Sequence, residues 1–148
     1  MKQKKSLLKS IMFVILFLCY SSAAMSQPIN STKNPTLSIS SGSSHEHISV
    51  NANELFSISV SMDAGDMLNK AGDWWLVYVT PDNRIFSLTN ERRWAEGLVP
   101  ILSIPMISFG PIPVISVALT LTGSYSFYFA VDDKPDGIPQ DPIWLDGL

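Results

Sequence analysis

Three groups of residues have types and spacings that could do chemistry. His45-Glu46-His47 sets two imidazoles two positions apart. On a strand, side chains at i and i+2 share a face, so both rings could hold one zinc or copper ion if a further ligand came from elsewhere. A polar strand edge after a serine turn accounts for the same residues without a metal. Asp132-Asp133-Lys134-Pro135-Asp136-Gly137, with Asp141 and Asp146 beyond it, collects carboxylates around a glycine. Calcium takes about six to eight oxygens, and such a loop can supply them. Asp132, Asp136 and Asp141 are the candidate ligands, with a solvated acidic turn as the competing reading. The match to a helix–loop–helix calcium loop is poor, because Lys134 and Ile143 stand where oxygen ligands belong. Third, Trp74, Trp75, Trp94, Tyr125, Tyr128 and Trp144 could build a platform on which a sugar ring stacks. Trp75 and Trp94 are the candidate ligand contacts, although strand aromatics more often fill a core.

Nothing comparable supports catalysis. There is no Gly-x-Ser-x-Gly turn, no His-Glu-x-x-His and no glycine-rich phosphate loop. The chain has two histidines and one cysteine, Cys19. A serine triad would have to recruit His45 or His47 with no local motif around it. The expectation is a protein that is not an enzyme and needs no cofactor, calcium in the acidic loop being the better candidate ion.

The segments that would position these groups begin after an export signal. Lys2, Lys4, Lys5 and Lys9 precede an apolar run, Ile11 to Tyr20, and the small residues Ser22-Ala23-Ala24-Met25-Ser26 follow. This three-part layout predicts a secretory signal over residues 1–26, cleaved after Ala24 or Ser26. The run is too short for a membrane-spanning helix, so no stable insertion is expected after cleavage. Residues 27–35 (QPINSTKNP) read as a flexible linker. Cys19 leaves with the leader, so the remaining domain is stable without thiols or disulfides. Four lysines leave with it, and six basic residues then face thirteen acidic ones, a formal charge of −7. A domain so acidic is a poor partner for nucleic acid, whose phosphates need clustered Lys and Arg.

From residue 36 to 148 the pattern is one of strands. In Leu55 to Met62, Phe56, Ile58, Val60 and Met62 share one face with serines opposite, the period of a half-buried strand. Trp74 to Thr80 is dense in aromatic and β-branched residues. Pro81 to Arg84 is a turn that returns the chain as Arg84 to Leu88. Thr36 to Ser40, His47 to Val50, Ile101 to Phe109, Val114 to Leu121, Tyr125 to Val131 and Ile143 to Leu148 complete the set. Gly110 to Pro113 reads as a joint, Asp63 to Asp73 as a loop, and Asn90 to Gly97 as a loop or single helical turn anchored by Trp94. Alternation puts Tyr125, Phe127 and Phe129 on a core face with Tyr128 opposite, and sends Trp74 and Trp75 to different faces. About seven or eight short strands without a helix predict an all-β, immunoglobulin-like antiparallel sandwich, with a small barrel as the second choice.

The residues Asp73-Trp74-Trp75-Leu76-Val77, Thr80-Pro81-Asp82, Trp94, Gly97, Gly123 to Asp132, Asp136-Gly137 and Trp144-Leu145-Asp146 resemble a recurring, uncharacterised module of secreted and surface bacterial proteins. The similarity covers most of Ile48 to Leu148. It implies an immunoglobulin-like fold and an exported location, secreted, periplasmic or on the cell surface, and implies no reaction. The chain stops two residues after Asp146, where the pattern would continue a final strand. An open sheet edge is therefore expected beside Trp144 to Leu148. The functional expectation is a non-catalytic module with a binding or structural role. The alternatives are a calcium- or carbohydrate-binding module and a subunit completed by strand exchange. The expected partner is another surface protein or a glycan.

Overall fold

The computed structural model describes residues 32–140 and 142–148. The expected leader, residues 27–31 of the linker, and Asp141 lie outside the described residues. Nine strands follow one another: β1 (Thr36–Ser40), β2 (Leu55–Asp63), β3 (Ala71–Val79), β4 (Ile85–Leu88), β5 (Trp94–Glu96), β6 (Leu102–Pro105), β7 (Phe109–Ala118), β8 (Ser126–Asp132) and β9 (Ile143–Gly147). A 3-10 turn, Gly65–Met67, joins β2 to β3. The described residues contain no α-helix, and the all-β expectation holds.

Two antiparallel sheets make a β-sandwich. One has the order β1-β2-β7, and the other β5-β4-β3-β8-β9, with β6 on the first half of β3. Strand β3 is the hinge of this arrangement. Ala71 to Trp74 pair with β6, Val77 to Val79 pair with β4, and Asp73 to Val79 pair with β8 on the other side. Alternation in the sequence fixes what each sheet presents. Ile58, Val60 and Met62 of β2 face Trp74 and Leu76 of β3 and Phe127, Phe129 and Val131 of β8 in one core. Trp74 stacks on Phe109 at 5.9 Å and tilts against Phe129 at 6.1 Å. Phe127 and Phe129 are buried, while Tyr128 points to the opposite face, 37% exposed. Trp75, Val77 and Ala130 form a second small cluster on that opposite face.

The departures from expectation have local causes. His47 to Val50 is not a strand. It belongs to the connection between the paired strands β1 and β2, where it has no partner strand. Its Ile48 and Val50 instead line a recess with Phe56, Leu119 and Leu148. Residues 90–97 are neither loop nor helical turn throughout. A tight turn, Thr89 to Arg93, with Arg92 at φ 59°, delivers β5, which pairs with β4. The prolines do not end β7, which runs through Pro111 and Pro113 as the outer strand of its sheet. An outer edge tolerates proline because no neighbouring strand needs its missing N–H. The expected Asp63 to Asp73 loop is shortened by β3, which begins at Ala71.

The last residues of the expected linker are tied down. Lys33 Nζ meets Asp63 at 2.5 Å, Lys33 N donates to Asp66 at 2.8 Å, and Asp66 N donates back to Lys33 O at 2.9 Å. This close approach requires Gly65, which sits at φ 54°; a Cβ there would lie 2.2 Å from Lys33 O. The C-terminal strand is paired on one side only, and as the last strand of its sheet it leaves the expected open edge. Strand β9 pairs with β8 along Ile143 to Gly147, and Leu148 exchanges two backbone bonds with Phe127 at 2.9 Å. On its far side, Asp146 accepts a bond from Ile39 N of β1 at 2.9 Å and so draws the two sheets together. Among the described residues β1, β5, β6 and β7 are edge strands as well.

Candidate functional site

The groove with the richest chemistry lies between the β3-β4-β5 end of one sheet and β7 of the other. Two turns build it. In the first, Thr80 N donates to Arg84 O at 2.9 Å, Asn83 takes φ 63°, and Thr80 Oγ1 donates to Asp82 at 2.5 Å. The second is the Thr89 to Arg93 turn. Together they fold β4 and β5 beside β3 so that Phe86, Tyr78 and Trp94 converge. Tyr78 stacks on Phe86 at 5.1 Å and meets Trp94 edge-on at 4.6 Å. Tyr125 closes the cluster at 6.2 Å from Tyr78. Contacts of this kind contribute about 0.5–1.5 kcal/mol each beyond burial.

Polar groups flank the rings. Arg84 lies 5.0 Å over the Phe86 ring and makes a bidentate pair with Glu96, at 3.1 and 2.8 Å. That pair holds the Glu96 carboxyl below its usual range and raises the guanidinium. The Thr80 hydroxyl lowers Asp82 in the same sense. Burial pushes the Tyr78 hydroxyl up, the neighbouring Tyr125 adds to this, and Arg84 opposes it. At neutral pH the groove therefore offers ionised Asp82, a fixed guanidinium and the Tyr78 phenol beside half-buried rings. Its volume is about 510 Å³, and the wall opposite the rings is Ile115 to Leu121. Stacking surface with fixed planar polar groups suits a ligand with an apolar face and hydroxyl edges.

The other sequence candidates fall elsewhere. Trp94 lies in the groove. Trp75 is 1% exposed, so it presents no stacking surface; its indole Nε1 is buried without an acceptor. His45 is exposed and its Nδ1 meets Ser38 Oγ at 3.1 Å, while His47 lies on the unpaired connection, so the two rings do not share a strand face. Among the described residues no group of three or more His, Cys, Asp or Glu is placed to hold a metal ion.

In the acidic loop the carboxylates of Asp132 and Asp136 bond backbone amides. Asp132 is fully buried, and its two oxygens accept backbone N–H bonds from Lys134 at 3.0 Å and Gln140 at 3.2 Å. Asp136 accepts from Ile138 N at 2.9 Å and from the Gln140 amide. Asp73, also fully buried, accepts from Gly137 N at 2.6 Å and from the Ser103 hydroxyl. Asp73 and Asp132 are directly opposed in the β3–β8 register. Gly72 permits this approach, since a Cβ there would lie 2.2 Å from Asp132 O. The carboxylates thus pin loop 133–140 to the sheet through its own amides, and Asp73 was not among the sequence candidates.

No match was found for this chain among protein-family models, curated proteins or solved structures.

Proposed function

We propose that this chain is an exported, non-catalytic binding module with an immunoglobulin-like topology, and that it takes a glycan in the groove beside Trp94. The topology is supported by strand order. Reading β1, β2, β7 as A, B, E and β5, β4, β3, β8, β9 as C″, C′, C, F, G follows the variable-type order, except that no strand D extends the first sheet and β6 pairs with β3 instead. Two side chains agree with it. Trp74 on β3 is the buried tryptophan expected of strand C, and Tyr125, just before β8, donates its hydroxyl to Leu121 O four residues upstream at 3.2 Å, as a tyrosine corner does. Export rests on the lysine-rich start and apolar Ile11 to Tyr20.

The observation that carries the binding role is the groove itself: Tyr78, Trp94 and Tyr125 half-buried around one space, with Arg84 fixed by Glu96 and Asp82 by Thr80 at its rim. Ring faces stack on the C–H face of a pyranose, and the charged rim groups accept and donate to its hydroxyls. The test is tryptophan fluorescence and calorimetry with soluble neutral polysaccharides, a glucan, a mannan and a xylan. At least one should bind, and Trp94→Ala should weaken it about tenfold or more, about 1.4 kcal/mol. Asp82→Asn, which leaves the rings in place, should weaken it less. Trp75→Phe should leave it unchanged. Equal affinity in Trp94→Ala and the unaltered protein would remove the groove from the account.

A further inference from the structure

We propose that two copies of this chain associate through the face formed by β6 and β7. Between Glu96 and Asp132 the sequence runs for 35 residues, Gly97 to Val131, without one charged side chain. The rest of the domain is strongly acidic, −7 over Thr32 to Leu148. Four exposed large hydrophobic residues of the uncharged segment come together on this face: Leu102, Ile104, Ile107 and Ile112 are each more than a third exposed. They flank an apolar slot of about 240 Å³ that opens between the sheets, floored by Trp74, Leu76 and Phe129. Glu91 stands at the margin of this face.

Charge selects the occupant. Two acidic copies repel wherever acids face acids, and that repulsion reaches about a Debye length, roughly 10 Å at 0.1 M salt. A face without charge is where they can meet, and there neither copy desolvates an ion. Because the same patch lies on both, a two-fold arrangement matches apolar surface to apolar surface and closes on itself. An anionic partner or membrane would be repelled by the flanks, and a cationic partner would find no acid within the patch to pair with.

The prolines fix the mode of contact. Strands β6 and β7 have unpaired outer edges. Such edges invite an added strand, and Pro105 in β6 with Pro111 and Pro113 in β7 interrupt the N–H rows that one would need. The copies therefore meet by side chains, with exposed isoleucines of each copy against the slot of the other. No shared ladder forms and no open-ended fibre grows.

The experiment is sedimentation equilibrium of the mature exported protein from low micromolar to about 1 mM. The expected result is a reversible one-copy to two-copy equilibrium, tighter at 0.5 M than at 10 mM sodium chloride as the acidic flanks are screened. Ile107→Lys and, separately, Ile112→Lys should each weaken it at least tenfold. Both sites are about half exposed, and thermal melts should be close to that of the unaltered protein. Leu145→Lys, at an exposed position on β9 across the sheet from β6, should leave the equilibrium unchanged. A single-copy mass throughout the range overturns the proposal. So does a dimer indifferent to both lysine variants. Co-sedimentation of a single-copy protein with phosphatidylcholine vesicles, lost in Ile107→Lys, would assign the face to lipid and overturn it as well.

Discussion

Neutralising Asp73 or Asp132 should expose two effects of opposite sign. The two carboxylates are fully buried and directly opposed across β3 and β8. Opposed residues in an antiparallel pair have Cβ atoms about 4.5–5.5 Å apart. With the charges about 6 Å apart and an effective dielectric constant of about 20, they repel by about 3 kcal/mol. Offsetting this are bonds from Gly137 N and the Ser103 hydroxyl to Asp73, and from Lys134 N and Gln140 N to Asp132. A hydrogen bond to a charged group contributes about 1.5–3 kcal/mol. Asn keeps the shape and one acceptor but aims an amide N–H at a donor, so at least one bond is lost. In each single variant, Asp73→Asn or Asp132→Asn, relief of repulsion and loss of bonds nearly cancel, leaving a change within about 1.5 kcal/mol. The double variant loses both sets of bonds and is relieved of the repulsion only once. It should be less stable than the sum of the singles by up to about 3 kcal/mol. Urea unfolding of the four proteins at pH 7 measures this. Hydrogen exchange at Lys134, Gly137 and Gln140 should speed up in the variants, since those amides lose their acceptors. Additivity within about 0.5 kcal/mol would refute the reasoning, because it would mean the two charges do not meet across the ladder.

The paired tryptophans give a second test. Trp74 Nε1 donates to Ile104 O at 3.3 Å, while Trp75 Nε1 is buried without an acceptor, so Trp75→Phe removes an orphan donor and should cost less than Trp74→Phe by about 1 kcal/mol or more in denaturant midpoints. Equal costs would show that the Trp75 N–H is satisfied. A third test is acid. Asp63, Asp82, Glu54 and Glu96 are all held below their usual range, chiefly by bonds from Lys33, the Thr80 hydroxyl, Asn51 N–H and Arg84. The unfolded chain then takes up protons at higher pH than the fold does, so their stabilising contribution is complete above the ordinary carboxylate range and is lost as pH falls through and below it. Melting temperature should be flat from pH 7 to about pH 5 and fall below about pH 4, and Glu96→Gln should shallow that fall. A fall already under way near pH 6 would implicate other groups.

Much of the fold was legible because alternation survives wherever a strand has one wet face. Ile58, Val60 and Met62, or Phe127 and Phe129, announce their side from the sequence alone. Where alternation lacks a partner strand it misleads, as at Ile48 and Val50. The Arg92 turn was illegible because left-handed backbone at an arginine carries no compositional mark, and without that turn β5 reads as loop. The carboxylate loop was legible as composition but not as a pattern of bonds. Asp132 and Asp136 look like ligands in a list of residues, and the amides that occupy them are backbone groups that every sequence contains. Tyr78 and Phe86 were passed over for the opposite reason: they sit in strong strands, where aromatics are expected to be core, and only the paired turns at 80–84 and 89–93 bring them to the rim of a groove.

The change of partner along β3 sets two different recesses side by side against β7. Where β3 pairs with β6, Trp74 and Leu76 floor the apolar slot; where it pairs with β4, Tyr78 enters the aromatic groove. Strand β7 walls both, with Ile112 and Val114 on the slot and Ile115 to Ala118 on the groove. The two walls differ in chemistry because the turns that close them differ. The 80–84 and 89–93 turns carry Asp82, Arg84 and Arg92 to the groove, while the uncharged stretch from Gly97 onward gives the slot nothing polar to offer. A surface that binds hydroxyl-rich ligands needs fixed charge beside its rings, and a surface that meets its own copy on an acidic protein needs charge excluded. On the two proposed readings these roles need separate surfaces, and the handover from β6 to β4 along β3 separates the slot from the groove.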